Sequence, residues 1–553
     1  METKKTVSGA ALLARSLARV QQVKTAFFLM GGPMYDVENG CIAEGVRMID
    51  VRHEQAAAMM AHAYARVLGR PGVCMACSGP GSINLTTGLA NALVDCVPVV
   101  AFGGSSPISQ YGMGAFQEFD QLAVMRPVTK WAERAYEAKR IPQLVDLAFS
   151  RALAGKPGPV YLDLPADVLH QEVEEDSVRW PKPLEARIAP RTGASPETLE
   201  RAVKLLQAAE KPLLLTGSGI LWSGASEALA RFVDEVGVPF YTTPQGRGVV
   251  PEDHRYFYGN ARSTAFKEAD LVLVVGTRLN YVFGFGRPPR FSPSAKFVRI
   301  DIDADEVHAS SRLELGVVGD ARTVLAQLTD ACAGRIGSDR HAAWRSQLAA
   351  IETERSPKSE AKLATDQVPI HPLRLCREVR DFISRDTIVV VDGQEILNYA
   401  RQAIPSYLPA HRLNSGTFGT MGVGLPFALG AKAARPDKNV VVLHGDGSFG
   451  LNGMELDTAI RHKLPVLVII SLNGGWTADP EKSKPGRDLG YTRYERMAEA
   501  LGCHGEYVEQ PGEIRPALER AARAVAGGQT ALVNVVTDWK ARAETVKFAR
   551  QMT

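Results

Sequence analysis

Residues 439–476 read NVVVLHGDGSFGLNGMELDTAIRHKLPVLVIISLNGGW, and they show how the chain is built. Two apolar runs, Val440 to Leu443 and Val466 to Leu472, have the continuous hydrophobicity of buried parallel strands. The segment between them has helical length and spacing. The stretch therefore predicts a strand, a glycine-rich turn, a helix and a second strand, which is the βαβ crossover of a parallel α/β sheet.

Polar residues follow both predicted strands. Gly445, Asp446 and Gly447 come after the first strand, and Asn473 comes after the second. Because open α/β sheets bind ligands at the carboxyl ends of their strands, we expect the carboxylate and the amide to meet there. The glycines and Ser448 leave backbone N–H groups to face an anion, and Mg²⁺ prefers oxygen ligands of this kind. The turn predicts a site for a diphosphate held through a divalent ion.

The spacing of this motif resembles the signature of thiamine-diphosphate-dependent enzymes, because 25 residues (448–472) separate GDG from Asn473. The resemblance implies three metal ligands, which are Asp446, Asn473 and a backbone carbonyl near Gly475. It also implies that the cofactor is bound by the same turns, through Gly445, Asp446, Gly447, Ser448, Asn473 and Gly475. An ordinary βαβ turn is the alternative, but the spaced Asn and both strands favour the cofactor site.

Length and composition describe a globular protein of several domains. The chain has 553 residues, of which 45% are apolar and 23% are charged. A net charge of +3 gives no reason to expect nucleic acid, and no apolar run is long enough to span a membrane. The N-terminus lacks the apolar core of a signal peptide, so we expect a cytoplasmic protein. Cys74 and Cys77 lie in an apolar strand without a second pair and are predicted to be buried thiols.

Two parts of the chain look like copies of one sheet unit. Residues 48–107 and 421–475 share the order small-residue helix, Pro turn, apolar strand, glycine turn, helix and x-Pro-Val. With the resemblance, this predicts an α/β protein with three doubly wound parallel-sheet domains. The predicted bounds are 1–185 (pyrimidine-binding), 196–345 (middle) and 365–540 (diphosphate- and Mg-binding), followed by a basic tail, 541–553, as a candidate active-site lid.

The first copy carries an acid where a helix of small residues begins. Glu54 lies in Arg-His-Glu-Gln, and a carboxylate there would also favour the helix N-terminus. In the family, the acid at this position hydrogen-bonds N1′ of the aminopyrimidine and so promotes loss of the thiazolium C2 proton. The resemblance therefore implies that Glu54 is catalytic. In the third domain, residues 411–426 resemble the lyases, in which Gly419 offers its carbonyl to the 4′-amino group and Met421 wedges between the two rings.

The middle domain resembles that of the 2-hydroxyacyl-CoA lyases and oxalyl-CoA decarboxylases, through residues 276–303 and VVGD at 317–320. In the decarboxylase this domain binds ADP, and acetolactate synthases carry FAD at the comparable place. An empty structural domain is the alternative. The matching positions for an ADP-like nucleotide are Gly217, Ser218, Arg278, Asp301 and Asp320.

Three further residues are candidates for acting on the substrate. Gln117 lies in GAFQE (114–118), which both synthases and lyases contain, and is the candidate contact to the substrate oxygen. Glu395 stands where the lyases usually have the Asn of Gly-Ala-Asn, so it is a candidate for proton transfer or substrate selection. Arg401 has the position of a decarboxylase arginine that contacts CoA phosphate. Polar or solvated surface positions are the alternatives for the first two.

The chain is thus predicted to be a thiamine-diphosphate- and Mg²⁺-dependent 2-hydroxyacyl-CoA lyase of the acetolactate synthase-like superfamily. It would reversibly cleave a 2-hydroxyacyl-CoA to an aldehyde or ketone and formyl-CoA. The sequence GGWTADP after Asn473 differs from the synthase helix and favours the CoA branch, although Leu472 replaces the first Asn of the usual pair. Oxalyl-CoA decarboxylase, acetolactate synthase and an inactive regulatory homologue are the alternatives. The resemblance also implies a homodimer or homotetramer with active sites at the subunit interface.

Overall fold

The computed structural model describes residues 5–184, 191–309, 312–476, 483 and 485–543. The chain divides into two compact units. Unit 1 consists of Met1–Ile188, Ile388–Leu397 and Leu413–Arg542, and unit 2 consists of Ala189–Thr387, Asn398–Arg412 and Ala543–Thr553. Three sheets of five or six strands dominate the two units, so the predicted fold class of three parallel-sheet α/β domains is confirmed.

The N-terminal part of unit 1 contains one six-stranded sheet. The strands are β1 (Thr6–Ser8), β2 (Thr25–Leu29), β3 (Arg47–Asp50), β4 (Gly72–Ala76), β5 (Val99–Ser105), β6 (Trp131–Arg134), β7 (Val160–Pro165) and β8 (Glu172–Glu174). The helices are α1 (Gly9–Arg15), α2 (Tyr35–Ala43), α3 (Glu54–Leu68), α4 (Pro80–Asn84), α5 (Thr86–Val94), α6 (Gln121–Met125), α7 (Ile141–Leu153) and α8 (Ala166–His170). The strand order is β3-β2-β4-β5-β7-β6 with parallel pairing, while β1 and β8 form a separate antiparallel pair.

Unit 2 holds the five-stranded sheet. Its strands are β9 (Pro212–Thr216), β10 (Phe240–Thr242), β11 (Leu271–Val275), β12 (Lys296–Asp301) and β13 (Leu313–Val318), in the order β10-β9-β11-β12-β13 with parallel pairing. The helices of this stretch are α9 (Pro196–Ala208), α10 (Gly219–Ser223), α11 (Ser226–Val236), α12 (Arg262–Glu268), α13 (Ala304–His308), α14 (Ala321–Cys332), α15 (Ala342–Leu363) and α16 (Pro372–Phe382). Apolar clusters cover both faces of this sheet, which explains its continuous hydrophobic strands.

The C-terminal part of unit 1 contains the second six-stranded sheet. Its strands are β14 (Ile388–Asp392), β15 (Arg412–Leu413), β16 (Val440–Gly445), β17 (Leu467–Leu472), β18 (His504–Val508) and β19 (Ala531–Val536). The helices are α17 (Glu395–Ala403), α18 (Gly424–Ala434), α19 (Asp446–Asn452), α20 (Glu455–Arg461), α21 (Tyr494–Ala500) and α22 (Ile514–Ala526). The order β15-β14-β16-β17-β19-β18 repeats the order of the N-terminal sheet strand for strand, as the sequence repeat predicts.

One prediction about the βαβ unit is wrong in detail. The single helix expected between β16 and β17 is two helices, α19 and α20, which are separated at Gly453 and Met454. Glycine disfavours the helix interior, and a Cβ at Gly453 would lie 3.1 Å from the Phe449 ring. The first copy has the corresponding break between α4 and α5.

Small residues let the two copies pack together through α3 and α18. Twelve of the fifteen residues of α3 are buried, and six of these are alanines. A Cβ on Gly430 of α18 would lie 2.3 Å from the Met60 carbonyl oxygen of α3. The close approach of the two helices therefore depends on a glycine at this position.

Two further expectations concern cysteines and membranes. Cys74 and Cys77 are free and buried, as predicted, and burial raises the pKa of both thiols. Within the described parts of the chain, no helix combines the length and apolar character that crossing a membrane requires.

Candidate active site

The turns after β16 and β17 converge on Asp446. This residue is 2% exposed and begins α19. Its Oδ2 atom accepts hydrogen bonds from the backbone N–H groups of Gly474 (2.8 Å) and Gly475 (3.1 Å). Asn473 Oδ1 accepts from the same Gly475 N–H group at 3.2 Å. The structure thus brings together the three positions expected to bind the metal ion.

The chemistry of this group of residues fits a divalent cation. Burial raises the pKa of Asp446 to about 6, although N–H groups of Gly447, Gly474 and Gly475 oppose the shift. A nearby cation would favour the ionised carboxylate. No cluster of three or more His, Cys, Asp or Glu side chains suited to a metal occurs in the described residues. The donors at this site would instead be one carboxylate, one amide and one backbone carbonyl, which are the hard oxygen ligands of Mg²⁺.

The turn around Gly447 is the place where the sequence predicts a diphosphate, but the Gly447 N–H group itself donates to Asp446 Oδ1 at 2.8 Å. A Cβ on Gly447 would lie 2.9 Å from the Trp476 ring, so the position has room only for glycine. The Ser448 hydroxyl is already used, because it donates to the carbonyl oxygens of Gly445 (3.0 Å) and Asp392 (3.2 Å). We therefore expect Ser448 to contact an anion through its backbone.

Glu54 lies in the N-terminal domain as the first residue of α3. It is 6% exposed, and its Oε2 atom accepts a hydrogen bond from Asn84 Nδ2 at 2.9 Å. A Cβ on Gly81 would lie 3.3 Å from Glu54 Oε1 and 2.5 Å from Cys77 Sγ. The acid therefore faces the turn after β4, which is the counterpart of the predicted metal-binding turn in the second copy.

Gln117 approaches the same turn from a different loop. Its φ of 56° is in the left-handed region, and its Oε1 atom accepts a hydrogen bond from the Ser78 hydroxyl at 2.5 Å. Gln121 links this turn to strand β7. Its Oε1 atom accepts a hydrogen bond from the Gly79 N–H group at 2.9 Å, and its Nε2 atom donates to Asp163 at 2.7 Å. The position of Gln117 is thus fixed by the Ser78–Gly81 turn.

The remaining cofactor positions of the third domain lie on the loop before α18. Gly419 is exposed with a φ of 73°, and Met421 is half-buried. The loop is anchored where Asn452 Nδ2 donates to the Gly422 carbonyl at 2.7 Å. Glu395 is half-buried at the start of α17.

The predicted catalytic and metal-binding residues form two groups within unit 1. Among the described residues, no hydrogen bond or ion pair joins Glu54 or Gln117 to Asp446, Asn473 or Gly475. Each group occupies the carboxyl edge of its own sheet. Within the described part of one chain, the two groups are therefore not joined by a hydrogen bond or an ion pair.

Unit 2 contains an arginine cluster around Arg401. Arg401 is exposed at its surface. Loss of hydration where its side chain packs against its neighbours, and then the charge of Arg247, lower the pKa of Arg401. Burial, with Arg290 and Arg401 nearby, lowers the pKa of Arg262 to about 9. Arg247 is paired with Glu252, but within the described chain neither Arg262 nor Arg401 has a carboxylate at ion-pair distance. Among the described residues, no paired carboxylate neutralises the positive charges of Arg262 and Arg401.

The predicted nucleotide positions lie along the carboxyl edge of the middle sheet. Gly217 follows β9, and a Cβ there would lie 2.7 Å from Thr277. Ser218 begins the next turn, where its carbonyl oxygen accepts from Leu221 N–H, and Arg278 is half-buried in the turn after β11. Burial raises the pKa of Asp301, at the end of β12, to about 6.

Asp320 has a structural role. Its carboxylate caps α14 through Thr323 N–H and also accepts from Ser223 and Arg191. Burial opposes ionisation, but these hydrogen bonds lower the pKa of Asp320 overall. The carboxylate is thus already engaged by its own domain.

Several residues of the site escape the sequence reasoning. Asn84 is not among the sequence candidates, although it ends α4 only three residues after Gly81. Asn452 and Glu455 looked like ordinary positions of one helix. Part of the candidate lid, residues 544–553, lies outside the described residues, as do residues 477–480 of the GGWTADP stretch.

Comparisons with known proteins give full-length relatives. The chain is 38% identical over 542 residues to the acetolactate synthase large subunit of Mycobacterium tuberculosis, with 96% of each chain covered. It is 34% identical over 568 residues to a 2-hydroxyacyl-CoA lyase of Arabidopsis thaliana, with 98% of each covered. It is 32% identical over 539 residues to the oxalyl-CoA decarboxylase of Escherichia coli, covering 95% of this chain and 94% of that protein.

Family models match all three sheet domains. Residues 7–124 match the N-terminal TPP binding domain of thiamine pyrophosphate enzymes, residues 199–328 match the central domain, and residues 395–535 match the C-terminal TPP binding domain. Thiamine pyrophosphate is another name for thiamine diphosphate. Together with the geometry above, these matches mean that the chain belongs to the thiamine-diphosphate-dependent enzymes of the acetolactate synthase-like superfamily.

Proposed function

We propose that this enzyme is a 2-hydroxyacyl-CoA lyase that uses thiamine diphosphate and Mg²⁺. It would convert a 2-hydroxyacyl-CoA to an aldehyde or ketone and formyl-CoA by breaking the bond between C1 and C2. The hydroxyl hydrogen of the substrate is lost as the carbonyl product forms, and the thioester carbon gains one hydrogen, so the reaction needs no oxidant. A relative at 34% identity carries this name.

The observation that favours a CoA substrate is the arginine cluster of unit 2. CoA carries several phosphate charges, and Arg262 and Arg401 are guanidinium groups without carboxylate partners in the described structure. Pyruvate offers one carboxylate and needs no such cluster. The arrangement therefore supports a substrate that carries several phosphate groups, as CoA does.

In the proposed mechanism, Asp446, Asn473 and the Gly475 carbonyl would hold Mg²⁺ and thereby the diphosphate. The bound cofactor would supply an electron sink at its thiazolium ring. Asn84 donates to Glu54 Oε2, which leaves Oε1 to hold or transfer a proton at the aminopyrimidine N1′. Ser78 occupies Gln117 Oε1, which leaves Nε2 to donate to a substrate oxygen. Gly419 and Met421 would orient the cofactor rings, and Glu395 would serve proton transfer.

We also propose that two copies of the chain complete each active site. No hydrogen bond or ion pair joins the two groups of site residues within the described part of one chain, so we propose that the second group comes from a partner. Large apolar side chains are exposed on the loop that carries Gln117: Tyr111 (60%), Met113 (77%), Phe116 (85%) and Phe119 (54%). Such a patch is typical of a protein interface. A homodimer, or a homotetramer made of two such dimers, would cover it.

The middle domain is proposed to bind a nucleotide such as ADP. Thr216 Oγ1 and Trp222 Nε1 are buried at the carboxyl edge of its sheet and have no hydrogen-bond partner in the described structure. Asp301 would accept hydrogen bonds from ribose hydroxyls. Calorimetric titration with ADP tests this role, and Asp301→Asn should weaken binding about tenfold. Equal binding by the variant would contradict the assignment of Asp301.

Acetolactate synthesis from pyruvate is the second candidate. The relative at 38% identity carries that name, and the cofactor machinery described above would serve either reaction. The two candidate reactions differ in the part of the substrate that the enzyme must bind, which is CoA in one and the pyruvate carboxylate in the other. The arginine cluster is therefore the place to distinguish them.

The decisive experiment offers a short 2-hydroxyacyl-CoA, oxalyl-CoA and pyruvate in parallel to the enzyme with thiamine diphosphate and Mg²⁺. Products are identified by mass. Formyl-CoA with a carbonyl compound is the expected result, and Arg262→Ala and Arg401→Ala should each raise KM for the thioester. Arg385→Ala is the matched control, because that arginine is paired with Asp253. Acetolactate from pyruvate with untouched thioesters would overturn the CoA assignment.

A further inference from the structure

The turn that leads into Glu54 is held by a buried glutamate of the C-terminal domain. Glu455, the first residue of α20, is 1% exposed. Its Oε1 atom accepts hydrogen bonds from the backbone N–H groups of Arg52 (3.0 Å) and His53 (3.2 Å). Its Oε2 atom accepts from the Thr458 hydroxyl at 2.6 Å. One carboxylate thus fixes the two residues that directly precede the acid.

Neighbouring residues add further links between the same two elements. Gln55, on the other side of the acid, donates from Nε2 to Asn452 Oδ1 at 2.9 Å. The Asp50 carboxylate is 2.5 Å from Arg461 Nη1 and 2.6 Å from His462 Nε2. The turn is therefore bound on both sides of the acid to α19, α20 and the residue that follows.

These links matter because the Glu54 side chain makes few hydrogen bonds of its own. The only side-chain hydrogen bond of Glu54 within the described structure comes from Asn84. The direction in which the Glu54 carboxyl points therefore depends on the backbone at the start of α3. N–H groups there lack partners inside the helix. The Glu455 carboxyl accepts from the N–H group of His53, which is the N-cap residue of α3, and from that of Arg52 just before it, so it holds the backbone that leads into the helix.

We propose that Glu455 is a positioning residue for Glu54. It holds the N–H groups of Arg52 and His53 so that the Glu54 carboxyl keeps the direction that proton transfer requires. Glu455 itself touches neither substrate nor cofactor. This inference rests on the proposed role of Glu54.

The test measures deuterium exchange of the C2 proton of thiamine diphosphate bound to the Mg²⁺-loaded enzyme. This exchange reports cofactor activation and needs no substrate. Glu455→Gln should slow it roughly 10- to 100-fold, because small misplacements of a catalytic group have effects of this size. Glu455→Asp, which keeps the charge on a shorter side chain, should restore part of the rate. An exchange rate within twofold of the wild type for Glu455→Gln would overturn the proposal.

A matched control separates positioning from a general loss of stability. Glu495 on α21 is also buried, at 3% exposure, and its carboxylate accepts hydrogen bonds from Arg493 and Asn534. Neither of these partners belongs to the turn that leads into Glu54. Glu495→Gln should leave C2 exchange unchanged. Equal slowing in both variants would mean that any buried glutamate matters, and would overturn the specific role of Glu455.

A double variant connects the effect to Glu54. If Glu455 acts through Glu54, Glu455→Gln should slow exchange in the wild type but not further in a Glu54→Gln background. Equal slowing in both backgrounds would contradict the inference. Normal exchange in Glu54→Gln alone would remove the role of Glu54 and this inference with it. Failure of the lyase assay with the expected exchange pattern would refute only the substrate.

A measurement on the cofactor-free protein gives an independent readout. Backbone amide exchange, followed by mass spectrometry, should become faster for peptides covering residues 50–56 in Glu455→Gln. The same peptides should be unchanged in Glu495→Gln. If Glu455→Gln does not fold, Gln55→Ala removes the link to Asn452 at a half-buried position and should show the same local loosening with a smaller loss of C2 exchange. Unchanged amide and C2 exchange in that variant would then overturn the proposal.

Discussion

At the scale of single residues, we expect Glu54 to serve proton transfer and Asp446 to serve cofactor binding. Glu54→Gln should lower kcat by about 10²- to 10⁴-fold, because an amide cannot transfer the proton. Mg²⁺-dependent binding of thiamine diphosphate should persist in this variant. Asp446→Ala should abolish that binding, since it removes a proposed metal ligand. Titration with the cofactor, followed by tryptophan fluorescence, measures binding in both variants. Lost binding in Glu54→Gln would contradict separate roles for Glu54 and Asp446.

The stability of the protein should depend on pH through Glu455. Burial raises the pKa of Glu455 from 4.5 to about 7, although Thr458 and the N–H groups of Arg52 and His53 oppose the shift. Between these two values the folded carboxyl binds its proton more tightly than the unfolded one. The free energy of unfolding should therefore fall as the pH rises from 4.5 to 7 and level off above 7.

The size of this effect can be isolated with one variant. Relative to Glu455→Gln, the cofactor-free wild type should lose about 2.4 kcal/mol of unfolding free energy between pH 5 and pH 7.5. Urea unfolding at pH 5 and pH 7.5 measures the difference, which cancels the titration of other groups. Parallel profiles for the two proteins would contradict a raised pKa of Glu455 in the folded state.

Residues whose role lies in local sequence are predictable, whereas those that act through distant partners are not. The GDG turn and Asn473 could be recognised because spacing and strand ends determine where they lie. Asn84 and Glu455 could not, because their partners are 30 and about 400 residues away along the chain. A helix-initial glutamate looks the same in sequence whether it is exposed or buried against another domain.

At the scale of secondary-structure elements, the contact between α3 and α18 depends on Gly430. Gly430→Ala would place a Cβ 2.3 Å from the Met60 carbonyl oxygen, so the two helices would have to separate. We expect a loss of about 1–3 kcal/mol in the free energy of unfolding. Gly512→Ala is the control, since a Cβ there meets nothing within 4 Å. Equal stability of both variants in urea would show that the helices adapt freely.

The elements themselves follow closely from the sequence. The strand predicted at Val466–Leu472 is observed at Leu467–Leu472, because continuous apolar residues mark buried parallel strands. The break at Gly453 was missed, since an isolated glycine in a helical pattern is often tolerated. That break lets Asn452 and Glu455 lie on separate short helices that both contact the N-terminal domain.

At the scale of the whole molecule, the two separate groups of site residues predict complementation between inactive variants. Glu54→Gln and Asp446→Ala should each be inactive alone. If each site uses one group from each copy, a mixed dimer contains one intact site. After co-refolding of equal amounts, about a quarter of wild-type activity should return. No recovered activity in a preparation shown to contain mixed dimers would contradict a shared site.

Unit 1 is assembled from both ends of the chain, with most of unit 2 between its parts, and this order bears on how the protein is made. The buried face of α3 leaves the ribosome about 350 residues before its partner α18 does. At ordinary rates of translation the delay is about 20–70 s. Throughout that interval, the alanine- and methionine-rich face of α3 has no partner helix to cover it. The nascent chain therefore presents a binding site for chaperones until about four-fifths of the protein has been synthesised.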